Sequence, residues 1–125
     1  MKPLPLLALL LATACGQAPA QGNQAGGPSV TEETVIMDRI EHDIRLPVSA
    51  GAVSSYARYY AWHQEKGGVR NVVAVWQNLT GEQPGRHWVT ESQLPVIMDG
   101  GCGVVSFSYN AATQSIERVA CNGYA

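Results

Sequence analysis

Two β-rich runs near the C-terminus constrain the fold of this 125-residue chain more than any other feature. Residues 104–109 and 115–120 carry the β-branched and aromatic side chains that are typical of strands. Residues 110–113 separate the two runs, and a connection of four residues is common in β-hairpins. The pattern therefore predicts an antiparallel hairpin as the C-terminal part of the domain.

The predicted register of this hairpin brings two cysteines together. If Tyr109 pairs with Gln114 across the loop, counting back along both strands places Cys102 opposite Cys121 on one face of the sheet. In an oxidising compartment, that juxtaposition predicts a disulfide bond. A closed loop of about 20 residues suggests a stabilisation of roughly 3 kcal/mol.

The N-terminus has the organisation of a secretory signal. Lys2 precedes an apolar run over residues 4–12, which is interrupted only by Pro5, and small residues follow. The run is too short for a permanent membrane-spanning helix, which needs about 20 apolar residues. We interpret residues 1–14 as a signal peptide that does not contribute to the fold.

The residues around Cys15 resemble the lipobox of bacterial lipoproteins. In the segment Thr13-Ala14-Cys15-Gly16 a cysteine directly follows small residues, although Ala12 stands where the family usually has leucine. The resemblance implies cleavage before Cys15 and attachment of lipid to it. Because Gly16 is not the aspartate associated with inner-membrane retention, the resemblance also implies an outer-membrane anchor that faces the periplasm.

The number of cysteines favours this interpretation. The chain has three, and a secreted protein with an odd cysteine needs an explanation for the third. A bond between Cys102 and Cys121 leaves Cys15 for the lipid. The alternative is cleavage by ordinary signal peptidase, because residues 18–20 also satisfy the small-x-small rule. That cleavage would produce a soluble periplasmic or secreted protein.

The rest of the chain divides into a tether and one domain. Residues 15–29 are interpreted as the lipidated cysteine and a flexible tether, because residues 16–29 contain no charge and cannot bury enough apolar surface to order themselves. Fourteen residues of such coil span roughly 20 Å on average. Residues 30–125 are expected to form a single α+β domain.

A helix is expected at the start of this domain. Ser29 and Glu32 match a capping box, and Pro47 ends the helical pattern. Glu41 and Arg45 have the spacing of a pair on the solvent side. The apolar face at helical spacing consists of Ile36, Met37, Ile40 and Ile44.

The remaining segments predict strands. Residues 54–63 fit either a strand or a helix, and the three tyrosines and one tryptophan favour a strand. Residues 69–79, with four valines and a tryptophan after a glycine turn, predict a strand, and residues 87–90 predict a short one. Residues 94–98 form a further apolar segment, which Pro95 interrupts. The expected fold is α+β, an N-terminal helix packed on an antiparallel sheet of four to five strands. It resembles cystatin-like domains in outline only.

One stretch, residues 99–103, has the composition of a catalytic site. Cys102 among glycines is a candidate nucleophile, with His87 as its base and Asp99 or Asn122 to orient the histidine. The competing interpretation is a glycine-rich turn whose cysteine is oxidised. We favour that interpretation, because the predicted hairpin register supports it independently.

The histidines and aromatic residues also permit two interpretations. His42, His63 and His87 lie at no metal-binding spacing, so the sequence predicts neither a metal nor a cofactor. The aromatic residues are expected in the core, with a sugar-stacking platform as the alternative. This aromatic group comprises Tyr56, Tyr59, Tyr60, Trp62, Trp76 and Trp88.

Charge and composition limit the function. Eight basic against ten acidic residues, with no basic cluster, argue against a nucleic-acid partner. The sequence favours a small non-catalytic lipoprotein of the cell envelope, held on the membrane by its lipid and contacting an unknown envelope protein or polymer. The alternatives are a periplasmic inhibitor of a hydrolase and a small cysteine hydrolase that uses Cys102.

Overall fold

The computed structural model describes residues 30–123 together with Gly16. The predicted signal peptide, the predicted lipidation site Cys15 and the predicted tether apart from Gly16 lie outside the described residues. The elements are helix α1 (Glu32–Asp43) and strands β1 (Ala57–Gln64), β2 (Arg70–Gln77), β3 (Gly85–Trp88), β4 (Val104–Asn110) and β5 (Ser115–Cys121).

The helix begins two residues later than the capping-box pattern predicts. Thr31 is its N-cap, and the Thr31 hydroxyl accepts a hydrogen bond of 3.2 Å from the backbone N–H of Thr34. Glu32 and Glu33 follow in the first turn, where the helix dipole favours negative charge. The helix ends at Asp43, four residues before Pro47.

The five strands form one sheet in the order β3-β1-β2-β4-β5. Every neighbouring pair is antiparallel except β1 and β3, which are parallel. The sheet is therefore mixed, and the prediction of a purely antiparallel sheet is wrong in this detail. The cause is the short connection after β2: β3 starts at the end of the sheet where β2 stops, so it runs opposite to β2 and alongside β1.

Three segments whose secondary structure the sequence predicts less clearly are residues 54–63, 87–90 and 94–98. Residues 54–63 mostly form β1, as their aromatic content predicts, after a short 3-10 turn at Val53–Ser55. The short strand expected at residues 87–90 lies two residues earlier, as β3. Residues 94–98 form no strand. They follow a 3-10 turn, Glu91–Gln93, in which Thr90 and Gln93 form a capping box.

The core lies on one face of the sheet. Its buried cluster combines α1 residues with side chains from β1, β2 and β4, and Trp76 at its centre is fully buried. Because strand side chains alternate, this face takes every second residue of each strand. The cluster contains Ile36, Met37, Ile40, Ile44, Tyr56, Tyr60, Val72, Ala74, Trp76, Val105, Phe107 and Tyr109.

The C-terminal hairpin forms with a different register from the predicted one. Tyr109 pairs with Ile116 rather than with Gln114, because Asn110 still belongs to β4 and pairs with Ser115. The four-residue loop is therefore residues 111–114. The Asn110 side chain stabilises it by accepting hydrogen bonds of 3.0 and 3.1 Å from the backbone N–H groups of Ala112 and Thr113.

The predicted Cys102–Cys121 disulfide is confirmed, although the register argument for it was wrong. Cys121 lies opposite Val105 in the sheet, while Cys102 precedes β4 in a 3-10 turn, Gly101–Gly103. The turn folds back toward the end of β5, where the backbone N–H of Asn122 donates to the Gly101 carbonyl at 3.1 Å. The bond thus joins a turn to a strand rather than two paired strand residues.

Candidate functional site

The two faces of the sheet have different surroundings. We call the side that carries the buried cluster the helix face and the opposite side the open face. On the open face Ala61 and Asn71 are buried, whereas the residues of β2 and β4 at its centre are half-buried. Across β1, β2, β4 and β5 this face presents Tyr59, Ala61, His63, Asn71, Val73, Val75, Ser106, Ser108, Glu117 and Ala120.

A carboxylate network lies at the border of the helix face. Glu41 on α1 accepts hydrogen bonds at Oε1 from Arg58 Nε at 2.8 Å and from the Tyr60 hydroxyl at 2.7 Å. Its Oε2 accepts from Arg86 Nη2 at 2.6 Å. Arg86 also binds Asp38 at 2.8 Å. Two arginines from neighbouring strands therefore hold the helix through one carboxylate.

The ionisation of this network follows from its contacts. Burial by itself raises the pKa of the Glu41 carboxyl, but the hydrogen bonds of Arg86 and Tyr60 and the charges of both arginines outweigh burial and lower the pKa overall. Burial and the adjacent carboxylate raise the pKa of the Tyr60 hydroxyl. Tyr60 therefore stays protonated as a donor, and Glu41 stays ionised as the acceptor.

We expect the stability of the domain to fall in acid because of Glu41. A carboxyl whose pKa is lower in the folded state stabilises fully above its unfolded pKa, about 4.3. This contribution is lost as the pH falls below that value and through the lower folded pKa. Urea denaturation between pH 7 and pH 2.5 measures it: wild type should lose stability below pH 4.5, and Glu41→Gln should lose less. Equal losses would contradict this assignment.

The network corrects the prediction of a solvent-side pair between Glu41 and Arg45. The Glu41 side chain is only 14% exposed and binds arginines of the sheet instead. His42 is exposed and contacts its neighbour Asp43 at 2.7 Å. Asp38, which the helical spacing places beside His42, binds Arg86. The helix therefore has a polar contact with the sheet that its own periodicity does not reveal.

The aromatic residues divide into core and border positions. Tyr56, Tyr60 and Trp76 are fully buried, as the core interpretation predicts. Trp62 and Trp88 are half-buried, but other side chains cover them: Arg70 lies 3.8 Å over the Trp62 ring, and Trp88 packs against both Trp62 and Tyr60. A sugar-stacking platform needs a free ring face, so this geometry does not favour one here.

The candidate catalytic residues are not brought together. Cys102 is bonded to Cys121 and has no free thiol in this state. His87 lies on β3, where its ring stacks on Tyr59 with centroids 4.6 Å apart. Strands β1 and β2 separate β3 from β4, and three strand spacings of about 4.8 Å place His87 far from the turn that holds Cys102.

The two residues proposed to orient that histidine have other roles. Asn122 donates hydrogen bonds from Nδ2 to the carbonyls of Ile97, at 2.6 Å, and Asp99, at 3.0 Å. These bonds attach the end of β5 to the preceding loop. The Tyr56 hydroxyl donates to the Cys102 carbonyl at 2.6 Å and accepts from the Gly51 N–H at 3.0 Å, which attaches a second loop to the same turn.

The third histidine pairs with a carboxylate. His63 Nδ1 lies 2.7 Å from Oε1 of Glu91, and both side chains are largely exposed. Within residues 30–123, no three histidine, cysteine or carboxylate side chains form a group that could hold a metal ion. The same part of the chain contains no helix with the length and apolar character that crossing a membrane requires.

The open face contains one feature that sequence reasoning missed. Strand β5 has a bulge opposite residues 106–108 of β4, and Arg118 at this bulge has a positive φ of 57°. The Arg118 side chain borders a shallow cavity of about 260 Å³ between β2, β4 and β5. No glycine or turn residue within β5 signals the bulge, so the sequence pattern alone does not predict it.

Comparisons with known proteins assign no relative to this chain. No family model matches the sequence, and neither the curated proteins nor the solved structures that were searched include a match.

Proposed function

We propose that this protein is a small non-catalytic lipoprotein of the cell envelope that acts by contact with an envelope protein or polymer. The observation that carries the proposal is the use of the cysteines. The disulfide occupies Cys102 and Cys121, which leaves Cys15 as the third cysteine of the chain, directly after an apolar run and small residues. A disulfide in a chain with such a leader is also consistent with an oxidising compartment.

A lipid anchor at Cys15 would determine which end of the domain lies nearest to the membrane. Lipid on Cys15 would attach the chain to the outer membrane, on the periplasmic side, through a tether of residues 15–29. The domain begins at Val30, and Glu32 of the first helical turn lies 3.7 Å from Arg70 at the start of β2. The tether would therefore enter at the end of the sheet that carries both hairpin loops.

A role in contact rather than catalysis fits the geometry of the described domain. The rigid features, the disulfide and the carboxylate network, hold the loops and the helix against the sheet. Among the described residues, α1 covers only the helix face, so the open face is the surface that we assign to a partner.

Lipidation predicts a clear effect of Cys15→Ala. We expect wild type to incorporate radiolabelled palmitate and to sediment with membranes, and Cys15→Ala to lose both properties. The matched control is Gln17→Ala, which leaves the cysteine in place and should behave as wild type. Mass spectrometry of the N-terminal peptide identifies the mature end. A wild-type protein that is soluble and begins at Gln21 would contradict the proposal.

A further inference from the structure

The conformation of Arg118 calls for an explanation beyond folding. Left-handed backbone is unfavourable for residues with a Cβ, and glycine or asparagine usually occupies such positions. The other non-glycine residue with positive φ among those described, Gln114, lies in a hairpin loop that requires a turn. Arg118 lies within a strand. A bulge at an edge strand hinders pairing with other chains, but this does not explain why arginine occupies the strained position.

The cavity beside Arg118 has an apolar floor and polar sides. Val73 and Val75 of β2 form the floor, and the hydroxyl-bearing Ser106 and Ser108 of β4 lie next to them. All four side chains are half-buried. A cavity of about 260 Å³ on this face accommodates a small group rather than a folded element.

Arg118 differs from the arginines of β1, β2 and β3 in having no carboxylate partner. Arg58, Arg70 and Arg86 each bind a carboxylate of helix α1. The Arg118 side chain is exposed and, like those of Arg39 and Arg45, forms no ion pair within the described residues 30–123, but of these three only Arg118 lines the cavity. The neighbouring Glu117 lies opposite Ser108 and is exposed at the rim of the same face.

We propose that this cavity binds a carboxylate carried on a small apolar group, with Arg118 as its anchor. The guanidinium offers parallel N–H donors that match the two oxygens of a carboxylate. The serine hydroxyls supply further donors, and the valines contact the apolar part of the ligand. A bulge re-aims a side chain relative to a regular strand, which is a recurrent feature next to binding sites.

Such a carboxylate could belong to a peptide C-terminus or to a free short-chain acid. The inference gives a ligand class to the proposed contact function and in that sense rests on it. Binding does not require the lipid, however. It is therefore measured on the full chain carrying Cys15→Ala, so that either proposal can fail without the other.

The experiment is an NMR titration of this chain with three probes. N-acetylalanine represents a peptide C-terminus, butyrate represents a free acid, and N-acetylalanine amide is the uncharged control. We expect saturable shifts at Val73, Val75, Ser106 and Ser108 with at least one carboxylate and none with the amide. Shifts should weaken as salt is raised, because an exposed ion pair is screened. Equal binding of the amide, or no binding of either acid, would overturn the proposal.

Two substitutions separate binding from folding. Arg118→Gly relieves the backbone strain, so it should raise the melting temperature while weakening carboxylate binding at least tenfold. The control is Arg45→Gln, which removes a different exposed arginine just after the end of α1. This variant should bind the carboxylate with the affinity of wild type. Unchanged affinity of Arg118→Gly would refute the anchor. Shifts on this face that grow with protein concentration alone would indicate a second copy there and would also refute it.

Discussion

Replacement of Glu41 with glutamine is expected to lower the free energy of unfolding by about 3 kcal/mol. The substitution keeps the shape of the side chain but removes its charge. Arg58, only 12% exposed, then remains at the border of the core without its carboxylate partner. Arg86 loses the same partner. An uncompensated charge at a largely buried position carries a desolvation cost that its counter-charge previously offset.

The matched control is Asp38→Asn on the same helix. Asp38 binds the same Arg86 at 2.8 Å, but its side chain is 61% exposed. An ion pair in water contributes about 0–1 kcal/mol, so this variant should be close to wild type. Urea denaturation of both variants at pH 7 makes the comparison. Equal losses from the two substitutions would show that burial of Glu41 has no special importance.

Loss of the Cys102–Cys121 bond is expected to have an effect of similar size. The two cysteines are 19 residues apart in sequence, and a loop of that length predicts a loss of about 3 kcal/mol on removal of the bond. Cys102→Ala with Cys121→Ala should therefore fold but unfold at lower urea concentration. The hydrogen bonds of Asn122 and Tyr56 to the neighbouring turn and loops remain in place, so we expect the native topology to persist.

Reduction of the wild type provides the control for this pair. Dithiothreitol should lower the stability of wild type to that of the double variant and leave the double variant unchanged. Carboxylate binding at the open face should survive both treatments in the folded state, because the disulfide lies outside the cavity. Wild-type protein isolated from its cells with both thiols free would contradict the bond and would make Cys102 a candidate nucleophile again.

The carboxylate network shows where sequence periodicity stops being informative. Helical spacing correctly predicts that Ile36, Met37 and Ile40 are buried. The same spacing places Glu41 in water beside Arg45, because periodicity describes only neighbours along one helix. Its actual partners are 17 and 45 residues further along the chain, at Arg58 and Arg86. Only the packing of the helix against the sheet brings those charges together.

The C-terminal hairpin also shows which features the local sequence predicts and which depend on contacts between distant residues. The β-rich runs predicted the hairpin correctly, whereas the disulfide was predicted from a strand register that does not form. The predicted register was wrong by two residues beside the loop, which the Asn110 side chain stabilises, and by three residues beyond the bulge, which adds one residue to β5. Strand identity depends on local composition, whereas register depends on contacts that the loop and the neighbouring strand select.

The sequence by itself determined the helix, the aromatic strand β1 and the C-terminal hairpin, because these follow from residue spacing and side-chain shape. Tertiary structure alone decided that β3 runs parallel to β1, that Glu41 is enclosed by arginines and that Arg118 borders a cavity. Each of these depends on which distant segments become neighbours in the sheet. That choice is made by the total packing of the domain, so no local pattern in the sequence records it.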